Sequence, residues 1–495
     1  MLQLDMNVEI ELKLRVPKGS MAKLVRHPLL QSGFRAARVS SAYFDTPSLD
    51  LKSNAVALRL RKVGGKWIQA VKGGGGVLAG VHTRCEWEHA VARGALDFTR
   101  IDDPHLVKLF GNSELRNSLV PVFSTEFSRK TVPVEYAGSV IECCLDSGKI
   151  LAENRQESIS ELELELKSGA PSALFEFALE LQKTVPLQVE QRSKAERGYA
   201  LFLGEKNSKV TKASSVELES KMDVGEACRH IVMGCLLQIQ GNHQGLLDRD
   251  PDSEYLHQMR VGVRRMRSAF SLFPFAESVF TEISPELKWL GSELGPARNW
   301  DVFMEETLPP ILAAFPDRAS LAELGEKGAM LRGRHGKRAH AAISSQRFQK
   351  LILTLGLALS RENWNQGETV GDFAKRMLEK RYRRIIKGGR GIATLDAAGL
   401  HALRISGKKL RYAAEFFSTL YSSRASRSFL RAMASLQDML GAINDAATTS
   451  HLLEELPDSE AGWLVRGWVA SGVRRRMAGL DKAWDKYKDI DPFWR

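Results

Sequence analysis

Acidic and basic side chains occupy alternate positions in three short segments of this chain. The first is Val8-Glu9-Ile10-Glu11-Leu12-Lys13-Leu14-Arg15, the second Arg84-Cys85-Glu86-Trp87-Glu88, and the third Glu161-Leu162-Glu163-Leu164-Glu165-Leu166-Lys167. A strand sends successive side chains to opposite faces, so each segment gathers charge on one side and apolar residues on the other. Carboxylates two residues apart can converge on a hard divalent cation, since Mg²⁺ takes oxygen ligands and keeps several waters. Cations on neighbouring strands suit phosphate oxygens, and arginine adds a bidentate fork. Candidates for that task are Lys13, Arg59 and Arg61, Lys72, Arg84, Arg129 or Lys130, and, further on, Lys194 and Arg197. Strands ionised on one face and apolar on the other predict a barrel or tunnel with a charged lining. Repelling carboxylates at this density need cations among them.

A second pattern lies in the other half of the chain. His257, Arg260, Arg264 and Arg267 fall at helical positions i, i+3, i+7 and i+10, and so do His401, Arg404, Lys408 and Arg411, at an offset of 144. Such positions share one helix face. Four like charges there repel unless a polyanion meets them. A second signature follows each unit, Leu294-Gly295 with Arg298-Asn299 and Leu440-Gly441 with Asn444-Asp445, at an offset of 146. The repeat is therefore real, and its length of roughly 140 residues predicts a duplicated helical bundle, not a solenoid. Metal chelation by the histidines is disfavoured because arginine takes the i+3 position in both units.

Period-two patterns at 7–16, 56–63, 66–72, 84–91, 139–145 and 160–167 place strands in the first part, with the Gly73–Gly76 run read as a turn between them. From about 222 the periods are helical to the end. The expected organisation is a tunnel domain over 1–205, a polar linker over 206–221, and a helical domain over 222–495 with repeats at about 222–365 and 366–490. The expected fold class is an α+β antiparallel barrel followed by an all-α domain.

The ordered set Glu9-x-Glu11-x-Lys13, Tyr43-Phe44-Asp45-Thr46-Pro47, Arg59-x-Arg61, Lys72, Arg84-x-Glu86-x-Glu88, Leu145-Asp146-Ser147-Gly148, Glu161-x-Glu163-x-Glu165 and Ser193-Lys194-Ala195-Glu196-Arg197 resembles the CYTH superfamily, the triphosphate tunnel metalloenzymes. That resemblance implies an eight-stranded antiparallel tunnel that hydrolyses a triphosphate with Mg²⁺ or Mn²⁺. It assigns metal binding to Glu9, Glu11, Asp146, Glu163 and Glu165, and catalysis to Lys13, Lys72, Glu161 and Glu163. Lys13, Arg59, Arg61, Lys72, Arg84, Arg129, Lys130, Lys194 and Arg197 would hold phosphate. No P-loop or adenine pocket is legible, so inorganic triphosphate is preferred over nucleoside or thiamine triphosphate. The repeated helices resemble the CHAD domain, which implies polyphosphate binding by His257, Arg260, Arg264, Arg267, His401, Arg404, Lys408 and Arg411. A non-catalytic component of polyphosphate granules is the alternative.

Composition agrees with these expectations. The chain has 495 residues and a net charge of +12, of which residues 1–210 carry +4 and residues 211–495 carry +8. A basic chain seeks polyanions. Few aromatics interleave with the Arg and Lys positions, so nucleic acid is not the expected partner. Five cysteines without a C-x-x-C pair exclude a disulfide framework or a structural zinc site. No apolar run of roughly 18 residues exists, so no membrane span is expected. No secretory leader is evident, and a reducing cytoplasm is the expected compartment.

Overall fold

The computed structural model describes residues 8–30, 33–92, 94–205, 209–248, 251–361 and 364–495. The chain forms two compact units, Met1–Ser208 with Ser345–Arg361, and Lys209–Ser344 with Glu362–Arg495.

The first unit is a closed antiparallel barrel. Its strands are β1 (Val8–Arg15), β2 (Arg35–Asp45), β3 (Val56–Val63), β4 (Lys66–Leu78), β5 (Val81–Val91), β6 (Val120–Tyr136), β7 (Ser139–Ala152), β8 (Arg155–Ser168) and the two-residue β9 (Gln188–Val189). Their order is β5-β4-β3-β2-β6-β7-β8-β1-β9, and β1 also pairs with β5, which closes eight strands on themselves. Two-residue turns build the hairpins. Gly64-Gly65, Ala79-Gly80 and Ala137-Gly138 all hold positive φ, the geometry whose twist matches paired antiparallel strands. Register sets the lining: Lys13 lies opposite Glu163, Glu11 opposite Glu165, and Arg129 opposite Asp146.

Two differences from the sequence reading stand out. The Gly73–Gly76 run does not end a strand; it lies inside β4, where pairing with β5 shifts register between Gly73 and Gly76. Gly75 has φ +88, and a Cβ there would fall 1.8 Å from the Thr83 carbonyl oxygen. The run is a bulge whose tip, at Gly75, admits only glycine. Second, β2 and β6, absent from the period-two patterns, form the continuous wall between β3 and β7.

The outer faces of β1 and β8 are apolar, with Leu12, Leu14, Leu162 and Leu164 fully buried. Helix Ser172–Gln182 covers them, and helix Gln346–Ser360 packs on that helix in turn. The latter helix comes from within the stretch that the sequence reading gave to the first helical repeat.

The second unit is helical and shows its duplication in detail. Helices Val224–Gly241, Ser253–Phe270, Ile283–Val302 and Ala319–Ser344 pack in succession, as do Val370–Gly388, Ala397–Phe416, Ser423–Leu453 and Glu460–Met477. Asp223 and Thr369 cap the first helix of each set and form a β-bridge with each other. Asp252 and Asp396 cap the basic helices at the same 144-residue offset. Side-chain caps contribute about 1 kcal/mol each. The segment after residue 208 is extended and bonded within this unit, with Asn242 holding Thr211 and Thr419 holding Val216 and Leu218. No helix among the described residues is long and apolar enough to cross a membrane.

Candidate functional site

A cavity of about 470 Å³ occupies the barrel interior. Strand alternation lines it from β1 (Glu9, Glu11, Lys13), β3 (Arg59, Arg61), β4 (Lys72), β5 (Arg84, Glu86, Glu88), β6 (Arg129) and β8 (Glu163, Glu165, Lys167), while Lys194 enters from the start of helix Lys194–Leu203. Ser193 caps that helix in a reciprocal capping box with Glu196, and Glu196 also receives Arg84 at 3.0 Å.

At the buried end the charges interlock. Glu163 accepts from Lys13 at 2.6 Å, Lys194 at 2.9 Å and Arg129 at 2.5 Å. Burial opposes its ionisation, yet Lys13, Lys194 and Arg129 hold the carboxyl well below the usual range. The same acids keep the cations protonated: against the cost of burial, Glu11 and Glu163 raise Lys13, and Asp146 and Glu161 raise Lys194. Asp146 also takes Arg129 in a fork at 2.8 and 2.6 Å. Arg197 bonds Glu161 at 2.9 Å and Glu157 at 2.8 Å behind the lining.

Nearer the opening the balance is looser. Lys72 pairs with Glu9, and with Glu86 at 3.1 Å. Burial and the charge of Glu11 push the Glu9 carboxyl up to about 7. Arg59 bonds Glu86 at 3.0 Å, while Arg61 lies 3.9 Å from Glu88, its one ion-pair partner among the described residues. The Nε atoms of Arg59 and Arg61 are buried without a hydrogen-bond partner. A buried unsatisfied donor costs roughly 1–3 kcal/mol, so these two arginines are prepared for an acceptor that arrives from outside.

Asp146, Glu161 and Glu163 bring carboxylate oxygens within 4.8 Å of one another, a group that could hold a metal ion. Its oxygen-only donors suit a hard cation. Lys194 lies among all three, at 2.7 Å from Asp146. Glu9 and Glu11 on β1 form the second acidic group, in which burial and the charge of Glu11 raise Glu9 while Lys13 lowers Glu11 against the effect of burial.

The structure gathers nearly all of the expected tunnel residues. Lys130 is the exception. It alternates with Arg129, so it falls on the outer face of β6 and is exposed. Asp146 and Glu161 share the inward faces of β7 and β8 with Glu142 and Glu163 but, like Arg197, do not border the cavity itself. Sequence reasoning named Tyr43, Glu86, Glu88 and Lys167 within its patterns but gave them no role, and it did not name Glu142; all five line the cavity. Arg59 lowers the Tyr43 hydroxyl pKa against the effect of burial.

In the helical unit the two basic helices meet. Arg260 and Arg264 from Ser253–Phe270 share a field with Arg404 and Lys408 from Ala397–Phe416. Burial, then Arg404 and Arg264, lower Lys408 to about 8. Burial and Arg264 lower Arg260 to about 10, even though it donates to the Leu294 and Gly295 carbonyls. The Nε atoms of Arg264 and Arg404 are buried without partners. Asp445 and Asp301 are acids that act on this group, Asp445 on Arg404 and Lys408 and Asp301 on Arg260, and burial raises both carboxyls. His257 is half-buried and lowered by burial and Arg298. Arg267 and His401 are exposed, and Arg411 is tied to Glu415 at 2.9 Å. Four cations, Arg260, Arg264, Arg404 and Lys408, and not all eight residues, make the compact cluster.

A closed antiparallel barrel with an ionised interior, joined to a duplicated helical bundle, defines a two-domain architecture. Residues 7–199 match the CYTH domain and residues 230–454 the CHAD domain, so the chain is a CYTH domain followed by a CHAD domain. An inorganic triphosphatase of Haemophilus influenzae is 34% identical over 164 residues, 33% of this chain and 46% of that protein. An uncharacterized protein of Mycobacterium tuberculosis is 31% identical over 175 residues, 32% of this chain and 33% of its own. The chain thus spans less than half the length of these curated relatives. The crystal structure of the CHAD domain from the plant Ricinus communis superposes with a TM-score of 0.52 at 32% identity, covering 58% of this chain and 98% of that one.

Proposed function

We propose that the barrel hydrolyses inorganic triphosphate with Mg²⁺ or Mn²⁺, and that the basic helix pair binds polyphosphate. The observation that carries the first part is the barrel cavity in which Arg59 and Arg61 keep buried Nε donors unpaired beside Lys13, Lys72 and Arg84. Similarity to the Haemophilus influenzae triphosphatase supports the same substrate class. The metal, when bound by Glu9, Glu11 and the Glu163 group, supplies charge neutralisation and an acidified water. The chain's own residues do the rest. Arg59, Arg61, Lys72 and Arg84 hold phosphate oxygens, and Lys13 meets the developing charge on the terminal phosphoryl group. Glu163, gripped by three cations, positions them; Glu165, at the rim of that cluster, orients water. Water attacks the terminal phosphorus, the anhydride P–O bond breaks, and pyrophosphate leaves.

The polyphosphate reading rests on Arg260, Arg264, Arg404 and Lys408, whose mutual repulsion a chain polyanion would relieve. The soluble handling of such anions suits a cytoplasmic protein. Phosphate release from inorganic triphosphate, with and without Mg²⁺ or Mn²⁺, tests the barrel. Metal-dependent release is expected; none with either metal would overturn it.

A further inference from the structure

We infer that helix Gln346–Ser360 is a positioning element of the tunnel, and that Gln349 on it holds Lys13 in place through β9. This rests on the hydrolytic reading of the barrel for its functional consequence, but its geometry is independent of that reading. Lys13 is fixed by its own backbone on both sides. Its N–H donates to the Gly80 carbonyl at 3.0 Å, and its carbonyl accepts from Glu190 N–H at 2.9 Å. Neither support belongs to a long strand. Gly80 sits in the two-residue turn between β4 and β5, and Glu190 directly follows β9.

Both supports lean on the same helix. The Gln349 side-chain oxygen accepts from Val189 N–H at 2.9 Å, and the Gln349 side chain is buried. Seven residues later on that face, Gly356 meets the turn: a Cβ there would lie 2.7 Å from the Ala79 Cβ and 2.2 Å from the Phe175 ring. The two supports also touch each other, since a Cβ on Gly80 would lie 2.5 Å from Val189 Cγ1. The links from helix to turn, helix to β9, and both to Lys13 form a closed loop of contacts. Helix Gln346–Ser360 is bounded in sequence by the helical unit on both sides. Residues 1–205 therefore lack a piece of the tunnel's support.

The experiment uses the full chain. Gln349→Met keeps volume and removes the acceptor, whereas Gln349→Glu keeps an acceptor oxygen. In Gln349→Met the Val189 and Lys13 amides are expected to lose exchange protection by roughly tenfold or more. The kcat on triphosphate should fall on the order of tenfold, because small displacements of a reacting group are costly, and Gln349→Glu should restore most of it. Faster exchange at Val189 with unchanged kcat would overturn the positioning role, as would unchanged exchange at both amides. Where the wild-type chain releases no phosphate, the hydrolytic reading falls alone. Exchange at Lys13 then decides: lost protection supports the linkage and retained protection overturns it.

Discussion

The barrel interior and the basic helix pair both concentrate cations, yet they treat charge in opposite ways. In the barrel every deep cation has an acidic partner. Lys13, Lys194 and Arg129 are all raised against the cost of burial by carboxylates such as Glu163 and Asp146. In the helical unit Arg260, Arg404 and Lys408 are all lowered by burial, with arginines or the shared neighbour Arg264 beside them. The barrel is an internally neutralised frame into which a guest and its metal can be exchanged. The helix pair is held together against its own repulsion. One site is built to act on a guest, the other to gain stability from one.

That contrast is broken most severely at Lys13. Lys13→Ala is expected to lower triphosphate turnover by roughly 10²-fold or more. It leaves Glu11 and Glu163 buried with one cation fewer, so a loss of stability accompanies it. Arg61→Ala sharpens the point. Burial and Arg59 already lower Arg61, and its nearest acid among the described residues is 3.9 Å away. Its removal should cost activity on the order of 10²-fold while leaving the melting temperature unchanged or higher. A parallel fall in both quantities would show that Arg61 is structural. Polyphosphate retention should persist in either variant.

The reverse experiment removes Arg264 and Arg404 together. Arg264→Ala with Arg404→Ala should weaken polyphosphate binding by roughly tenfold to a hundredfold and flatten its salt dependence, with triphosphate turnover spared. Equal losses in both assays would mean one merged site, and the comparison would collapse.

How much of this could be read beforehand depends on where each residue's signal lies. Glu9, Glu11, Lys13, Glu163 and Glu165 were legible because alternation is a local property and their apolar neighbours are strong strand formers. β2 and β6 were not. Arg-Ala-Ala-Arg-Val-Ser-Ser-Ala lacks an apolar row, and β6 mixes Pro121, Pro133 and charges on both faces; pairing with neighbours defines them. Gly73–Gly76 reads as a turn by composition, and only the close approach of Thr83 shows it to be a bulge. Lys130 was included because sequence could not fix the phase of β6. The repeat located the two basic helices, but not that Arg267 and His401 lie outside the buried cluster. Helix Gln346–Ser360 has a helical period like its neighbours, so nothing local marks it as part of the barrel unit.

A finer test of the contrast is pH. Lys408 is lowered to about 8 by burial and by Arg404 and Arg264, with Arg260 adding repulsion and Asp445 opposing it. A bound polyanion favours the ammonium form, so the complex holds a proton that the free protein gives up above that value. Affinity for polyphosphate should therefore fall by about tenfold between about pH 7 and about pH 9. Lys408→Arg, which stays charged, should remove most of that slope. A wild-type slope that survives the substitution would assign the proton elsewhere.

The smallest expected effect lies at the junction of helix cap and tunnel. Ser193 accepts from Glu196 N–H at 3.2 Å, and Glu196 answers through Ser193 N–H at 2.7 Å. Ser193→Ala removes the cap and should destabilise the barrel unit by about 1 kcal/mol. Lys194 begins this helix, but three carboxylates hold its ammonium from β7 and β8, independently of the cap. Turnover measured well below the melting temperature should thus change by less than about threefold. A larger drop would mean that the capping box itself aims Lys194, and that the neutralised frame is less self-supporting than its ion pairs imply.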